Sequence, residues 1–94
     1  MVGLAWMELD PPLTLDERRV LGVLMRLDLA PADKTVERIA AELGAERQQT
    51  WRVLRGLERR RPQLAHPDVD EGLGIQFWRT TYFAAEAMEE EDRL

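Results

Sequence analysis

Six arginines and two glutamines fall between Arg47 and Arg61, and they are the residues of this chain best suited to recognition chemistry. A guanidinium is a forked, permanently charged donor that matches phosphate oxygens or the O6/N7 edge of guanine, and a glutamine amide matches the N6/N7 edge of adenine. Arg47, Gln48 and Arg52 lie in the first two turns of the segment, with Gln49 beside them and Arg55 and Arg59 farther along. The apolar residues Val53, Leu54 and Leu57 recur between them at helical spacing, so the polar groups belong to the solvent face of an amphipathic helix. The chemistry on offer is anion and base-edge recognition. Bond making has no comparable support. The chain contains neither serine nor cysteine to serve as a nucleophile, and it has no glycine-rich phosphate loop and no His–Glu pair at metalloprotease spacing. His66 is the single histidine, and with Pro67 and Asp68 after it reads as a strand or turn residue. No catalytic site, metal site or cofactor is expected.

The net charge of −5 conceals a strong segregation. Residues 1–44 balance at −3, residues 62–83 at −2 and residues 84–94 at −4, whereas residues 45–61 carry six arginines against two acids, a balance of +4. A phosphate-binding surface would therefore be confined to one helix, with affinity that is local and strongly salt dependent. The alternative is that these arginines form only a solvated helix face.

The elements that must position this helix are legible around it. Thr35 can N-cap a helix carrying Val36, Ile39, Ala40 and Leu43 on one face, and Gly44 can end it at positive φ. The arginine helix, at about 46–61, restarts almost at once. A small residue, Ala40, stands four before the turn glycine, and apolar residues flank both sides, as two closely crossing helices require. Thr50 occupies a slot usually filled by an aliphatic side chain; its methyl can pack and its hydroxyl can bond back to the helix backbone. This is the layout of a helix-turn-helix.

Upstream, Thr14 and Glu17 form a capping box ahead of an apolar pattern that predicts a first helix over 15–29, with Pro31 beyond it. Downstream, Pro62 ends the arginine helix, and two segments at 63–69 and 73–81 read as a β-hairpin around Asp70, Glu71 and Gly72. Leu73, Ile75 and Phe77 alternate with Gly74, Gln76 and Trp78. The segment from Tyr82 to Leu94 favours helix but carries Glu89, Glu90, Glu91 and Asp92 in its last turn, against the helix dipole. The organisation expected is an apolar N-terminal arm (1–12), a mainly α domain with a small β-hairpin (13–83) and an acidic C-terminal helix or tail (84–94).

Three helices followed by a hairpin resemble the winged helix-turn-helix superfamily, and within it the small MarR-like bacterial or phage regulators, across about residues 13–83. The resemblance implies sequence-specific binding of double-stranded DNA by a transcriptional regulator, with the arginine helix in the major groove and the hairpin wing along neighbouring phosphates or the minor groove. Carried onto this chain, Arg47, Gln48 and Arg52 would read base edges, and Arg55, Arg59, Lys34 and Thr35 would hold phosphates, with Gln49 and Thr50 at the edge of the contact or inside it. Asp68, Asp70 and Glu71 depart from the pattern by placing negative charge on the wing, where only Arg79 compensates.

That departure keeps other readings open. The acidic wing and Trp51, unusual on a groove-facing helix, would suit a protein partner in a transcription, replication or chromosome-maintenance complex, and the overall acidity would suit a DNA mimic. Trp6, Trp51, Trp78, Tyr82 and Phe83 are candidate partner contacts, and the N-terminal arm with the C-terminal helix offers a homodimer surface. Packing within one chain is the competing reading for that surface. No uncharged run approaches the ~20 residues of a membrane span, and a cytoplasmic location is expected.

Overall fold

The Thr14/Glu17 capping box closes as its spacing requires: the Thr14 amide donates to Glu17 Oε1 at 2.9 Å and the Glu17 amide to Thr14 Oγ1 at 3.1 Å. The helix it starts, α1 (Leu15–Arg26), buries Val20, Leu21, Val23 and Leu24 along one stripe. The computed structural model describes residues 11–26 and 31–92, so the arm over 1–10, with Trp6, and the predicted end of the first helix at 27–29 lie outside the described residues. A 3-10 turn (Pro31–Lys34) leads to α2 (Val36–Leu43), then come α3 (Arg47–Arg59), β1 (Ala65–Asp70), β2 (Ile75–Thr80) and α4 (Tyr82–Asp92).

The connection between α2 and α3 is built by the residues that predict it. The Thr35 side chain accepts from the Arg38 amide at 3.2 Å, and Gly44 ends α2 in the left-handed region at φ 64°. That conformation brings the Gly44 amide to the Ala41 carbonyl at 3.2 Å and the Ala45 amide to the Ala40 carbonyl at 3.0 Å, which satisfies the last carbonyls of the helix. Ala40 is buried where the helices cross. Thr50 is buried as well, and its hydroxyl donates to the Glu46 carbonyl at 3.0 Å. The polar group in the aliphatic slot is thereby paired inside its own helix, which removes most of the cost of burying it.

Leu21, Ile39, Leu54, Leu57 and Leu64 are fully buried and form the centre of a core shared by α1, α2, α3 and the root of the hairpin. The strands pair antiparallel with Ala65 opposite Thr80 and Asp70 opposite Ile75. Two bonds tie the hairpin root together: the Thr81 amide donates to the Leu64 carbonyl at 3.0 Å, and the Thr81 hydroxyl donates to the Gln63 carbonyl at 2.6 Å. Among the described residues, four helices and a two-stranded hairpin agree with the fold class expected from sequence.

Three expectations change. Trp78 is 3% exposed, a core residue and not a partner contact. It stands near the root of β2, against the helices, while Gln76 on the same face stands farther out and is exposed. A protruding hairpin buries its root and solvates its tip, so alternation within the strand does not by itself name the core side. Leu73 lies in the turn, 60% exposed, and not in the strand. On α4 the buried residues are Ala84 and Ala87, and Phe83 and Met88 pack partly buried against the same core. Phe83 is thus engaged within its own chain, whereas Tyr82 stays 75% exposed with its ring 5.5 Å from that of Phe83.

Candidate nucleic-acid interface

The buried residues of α3 are Thr50, Leu54 and Leu57. At 100° per residue the side of the helix opposite them carries Gln48, Arg52, Arg55 and Arg59, which succeed one another at i, i+4, i+7 and i+11. This stripe is the outward face of the helix. Arg47 and Trp51 lie on one flank, toward α2 and the hairpin, and Gln49 lies on the other flank, toward α1.

Pairing divides the cations more sharply than position does. Arg47 Nε donates to Glu37 Oε2 at 2.6 Å, and Arg55 NH1 donates to Glu58 Oε1 at 2.7 Å. Arg79 NH1 donates to Asp68 Oδ2 at 3.2 Å across the hairpin. The Arg47 hydrogen bond is the main cause that holds the Glu37 carboxyl below its ordinary pKa, and the Val69 amide, followed by Arg79, does the same for Asp68. Arg52 and Arg59, in contrast, are exposed and have no carboxylate within ion-pair distance among the described residues. They are the open charges of the outward stripe.

The remaining candidates are distributed around this stripe. Lys34 ends the 3-10 turn and Thr35 follows it, its hydroxyl already accepting the α2 cap bond. Gln49 Nε2 is 3.4 Å from Asp16 Oδ2, which draws that amide toward α1. The Arg55 guanidinium carbon lies 5.6 Å from the Trp51 ring centroid, a cation–π arrangement on an indole that is 41% exposed. A cleft of about 260 Å³ between α3 and β2 is lined by Thr35, Glu37, Arg47, Trp51, Gln76 and Trp78, among others. It brings Thr35, Arg47 and Trp51 together, whereas Arg79 stands near the hairpin root, opposite His66.

The wing acids serve the hairpin itself. Asp68 pairs with Arg79 and accepts from the Val69 amide at 2.8 Å, and Asp70 Oδ1 accepts from the Leu73 amide at 3.0 Å while its carbonyl accepts from the Gly74 amide at 2.8 Å. Glu37 is the residue that sequence reasoning missed. Nothing in its local pattern distinguishes it from other first-turn acids, and its partner is ten residues away across the turn.

Solved structures share this fold. Staphylococcus aureus MepR, described as a transcription regulator of the multidrug efflux pump MepA, superposes with a TM-score of 0.72 at 22% identity over 89% of this chain and 58% of its own. MepR in a DNA complex superposes with a TM-score of 0.71 at 22% identity, over 86% of this chain and 55% of that one. Lactococcus lactis ZitR, a zinc-responsive MarR family member, gives a TM-score of 0.63 at 21% identity, over 86% and 52%. The chain thus has the winged helix-turn-helix fold of these regulators and spans little more than half their length. No family model matches the sequence, and no curated protein does. No helix among the described residues is long and apolar enough to cross a membrane.

Proposed function

We propose that this chain binds double-stranded DNA sequence-specifically as a small winged-helix transcriptional regulator. The observation that carries the reading is the outward stripe of α3, on which Arg52 and Arg59 stand exposed without a carboxylate partner among the described residues, in a chain that is otherwise acidic. That surface belongs to the helix that a winged-helix protein lays in the major groove. The fold likeness to MepR, which has been solved in a DNA complex, supports the DNA-binding reading.

In this reading Gln48 and Arg52 meet base edges from the first turns of α3, with Arg47 beside them at the wing cleft and Gln49 at the margin. Arg55 and Arg59 hold phosphates farther along the helix. Lys34 and Thr35 hold them at the start of α2, and Arg79 does so from the wing. Each good bidentate pair with a base discriminates by about 1–3 kcal/mol, while the phosphate contacts supply affinity without sequence. Two copies joined through the N-terminal arm and Tyr82 would present two such helices to a near-palindromic site.

Selection from random duplex DNA at low and moderate salt tests the reading, with an Arg52→Ala, Arg59→Ala double variant alongside. Enrichment of one motif by the parent and not by the variant is expected, and a symmetric motif would report the dimer. Retention of no duplex even at low salt would overturn the reading in favour of a protein partner at the exposed indole of Trp51.

A further inference from the structure

The wing cleft contains an ion pair whose purpose the fold does not explain. Arg47 and Glu37 are 2.6 Å apart, with side chains 59% and 62% exposed. A pair this exposed adds little to stability, because solvent screens it and two flexible side chains must be ordered to make it. Its geometry is one-sided. Glu37 engages Arg47 through Nε, the lateral edge of the guanidinium, and the terminal NH1/NH2 edge has no partner among the described residues. The pair also lines the cleft between the two DNA-facing elements of a winged helix, α3 and the hairpin.

We infer that Glu37 is a specificity-determining residue that acts through Arg47: by holding the Nε edge, the carboxylate fixes the guanidinium so that its terminal edge is presented to a guanine at the cleft. The inference rests on the DNA-binding reading above and adds a residue to it. A guanidinium free to rotate meets phosphates and bases of any sequence. One held by its lateral edge offers two parallel N–H donors in a single direction, the arrangement that guanine O6 and N7 accept. The cost of ordering the long side chain is met in the free protein and need not be met again on binding. Glu37 occupies the first turn of α2, on a rigid capped helix, so the direction it imposes is set by the helix-turn-helix crossing and not by a mobile loop.

The test compares parent, Glu37→Ala and Glu37→Gln by selection from random duplex DNA, followed by binding to the selected site and to its single-base variants. Glu37→Ala should lower discrimination at one guanine position on the order of tenfold and leave the other positions unchanged. Glu37→Gln, whose amide oxygen still accepts from Nε, should restore most of that discrimination. In the free protein the Arg47 Nε–H signal should exchange slowly with solvent in the parent and in Glu37→Gln, and quickly in Glu37→Ala. Uniform tightening on every sequence in both variants, with discrimination intact, would overturn the inference and make Glu37 a competing anion. A parent that selects a motif, with Glu37→Ala selecting the same motif equally well, would overturn it while sparing the DNA-binding reading. A parent that selects nothing would overturn both.

Discussion

Arg60 clasps Glu17 with two hydrogen bonds, Nε to Oε2 at 2.8 Å and NH2 to Oε1 at 2.7 Å, and the side chains are each only 11% exposed. The same guanidinium donates to the Pro11 carbonyl at 2.6 Å and the Pro12 carbonyl at 3.2 Å, so the start of α1 is fastened to the residue that follows α3. Removing the carboxylate of a mostly buried pair takes away the charge that offsets the guanidinium and leaves it only carbonyl acceptors at Pro11 and Pro12. Glu17→Ala should therefore destabilise the chain by about 3 kcal/mol, read from denaturant unfolding. Glu17 also closes the capping box, so Thr14→Ala, which loses only the cap, should cost about 1 kcal/mol.

The same pair sets an acid limit. Burial pushes the Glu17 carboxyl up, but the Arg60 hydrogen bonds, the Thr14 amide and hydroxyl and the guanidinium charge outweigh it and hold the pKa below the usual 4.5. A carboxyl depressed in the folded state stabilises fully above its unfolded pKa and loses that contribution as pH falls through the folded value. The parent should lose stability progressively below about pH 4.5, and Glu17→Gln should lose less over the same interval, since its side chain does not titrate there. Thermal melts at stepped pH check this; parallel curves would show that Glu17 does not carry the acid limb.

Thr50 is buried with its hydroxyl on the Glu46 carbonyl, which also accepts the Thr50 amide at 3.0 Å. That carbonyl stays paired if the hydroxyl is removed. Thr50→Val keeps the β-branched shape, adds apolar volume to the core and should change stability by less than about 1 kcal/mol, on the stabilising side. Thr50→Ala loses packing on both counts and should cost about 1–2 kcal/mol in the same unfolding measurement.

The pairing pattern on α3 predicts how salt acts on DNA binding. On the proposed DNA surface Arg59 brings unneutralised charge to a phosphate, so Arg59→Ala should reduce the slope of log affinity against log salt by about 0.9. Arg79 is already paired with Asp68, and Arg55 with Glu58, so their removal should change the slope by clearly less. Equal slope changes for all three would mean that the ion pairs of the free protein dissolve on the duplex.

Gly44 holds φ 64° with open space where a Cβ would be. Gly44→Ala meets no clash and pays only the left-handed backbone cost, so it should lower stability by about 1 kcal/mol without changing the fold, as melting and circular dichroism would show.

The elements of this chain were legible because they are set by neighbours within one helical turn. Thr14 reaches Glu17, Thr35 reaches the Arg38 amide, and Gly44 turns where Ala40 and Ala41 need their carbonyls satisfied. These bonds depend on spacings of three or four residues, which the order of residues alone determines. The same holds for the stripe of Gln48, Arg52, Arg55 and Arg59, which follows from the pitch of the helix. Within the stripe Arg55 is closed by Glu58 at i+3, again a local spacing, whereas the pairings beyond it were decided only by the tertiary structure. Arg47 meets Glu37 across a turn, Arg60 meets Glu17 from forty-three residues away, and Trp78 sinks into the core while Gln76 on its own face does not. Those outcomes depend on distances between elements, set by how α1, α2, α3 and the hairpin pack. Charge and hydropathy read along the chain carry no measure of such distances, so the sequence named the cationic helix and the packing settled which pairings form between it and the rest of the fold.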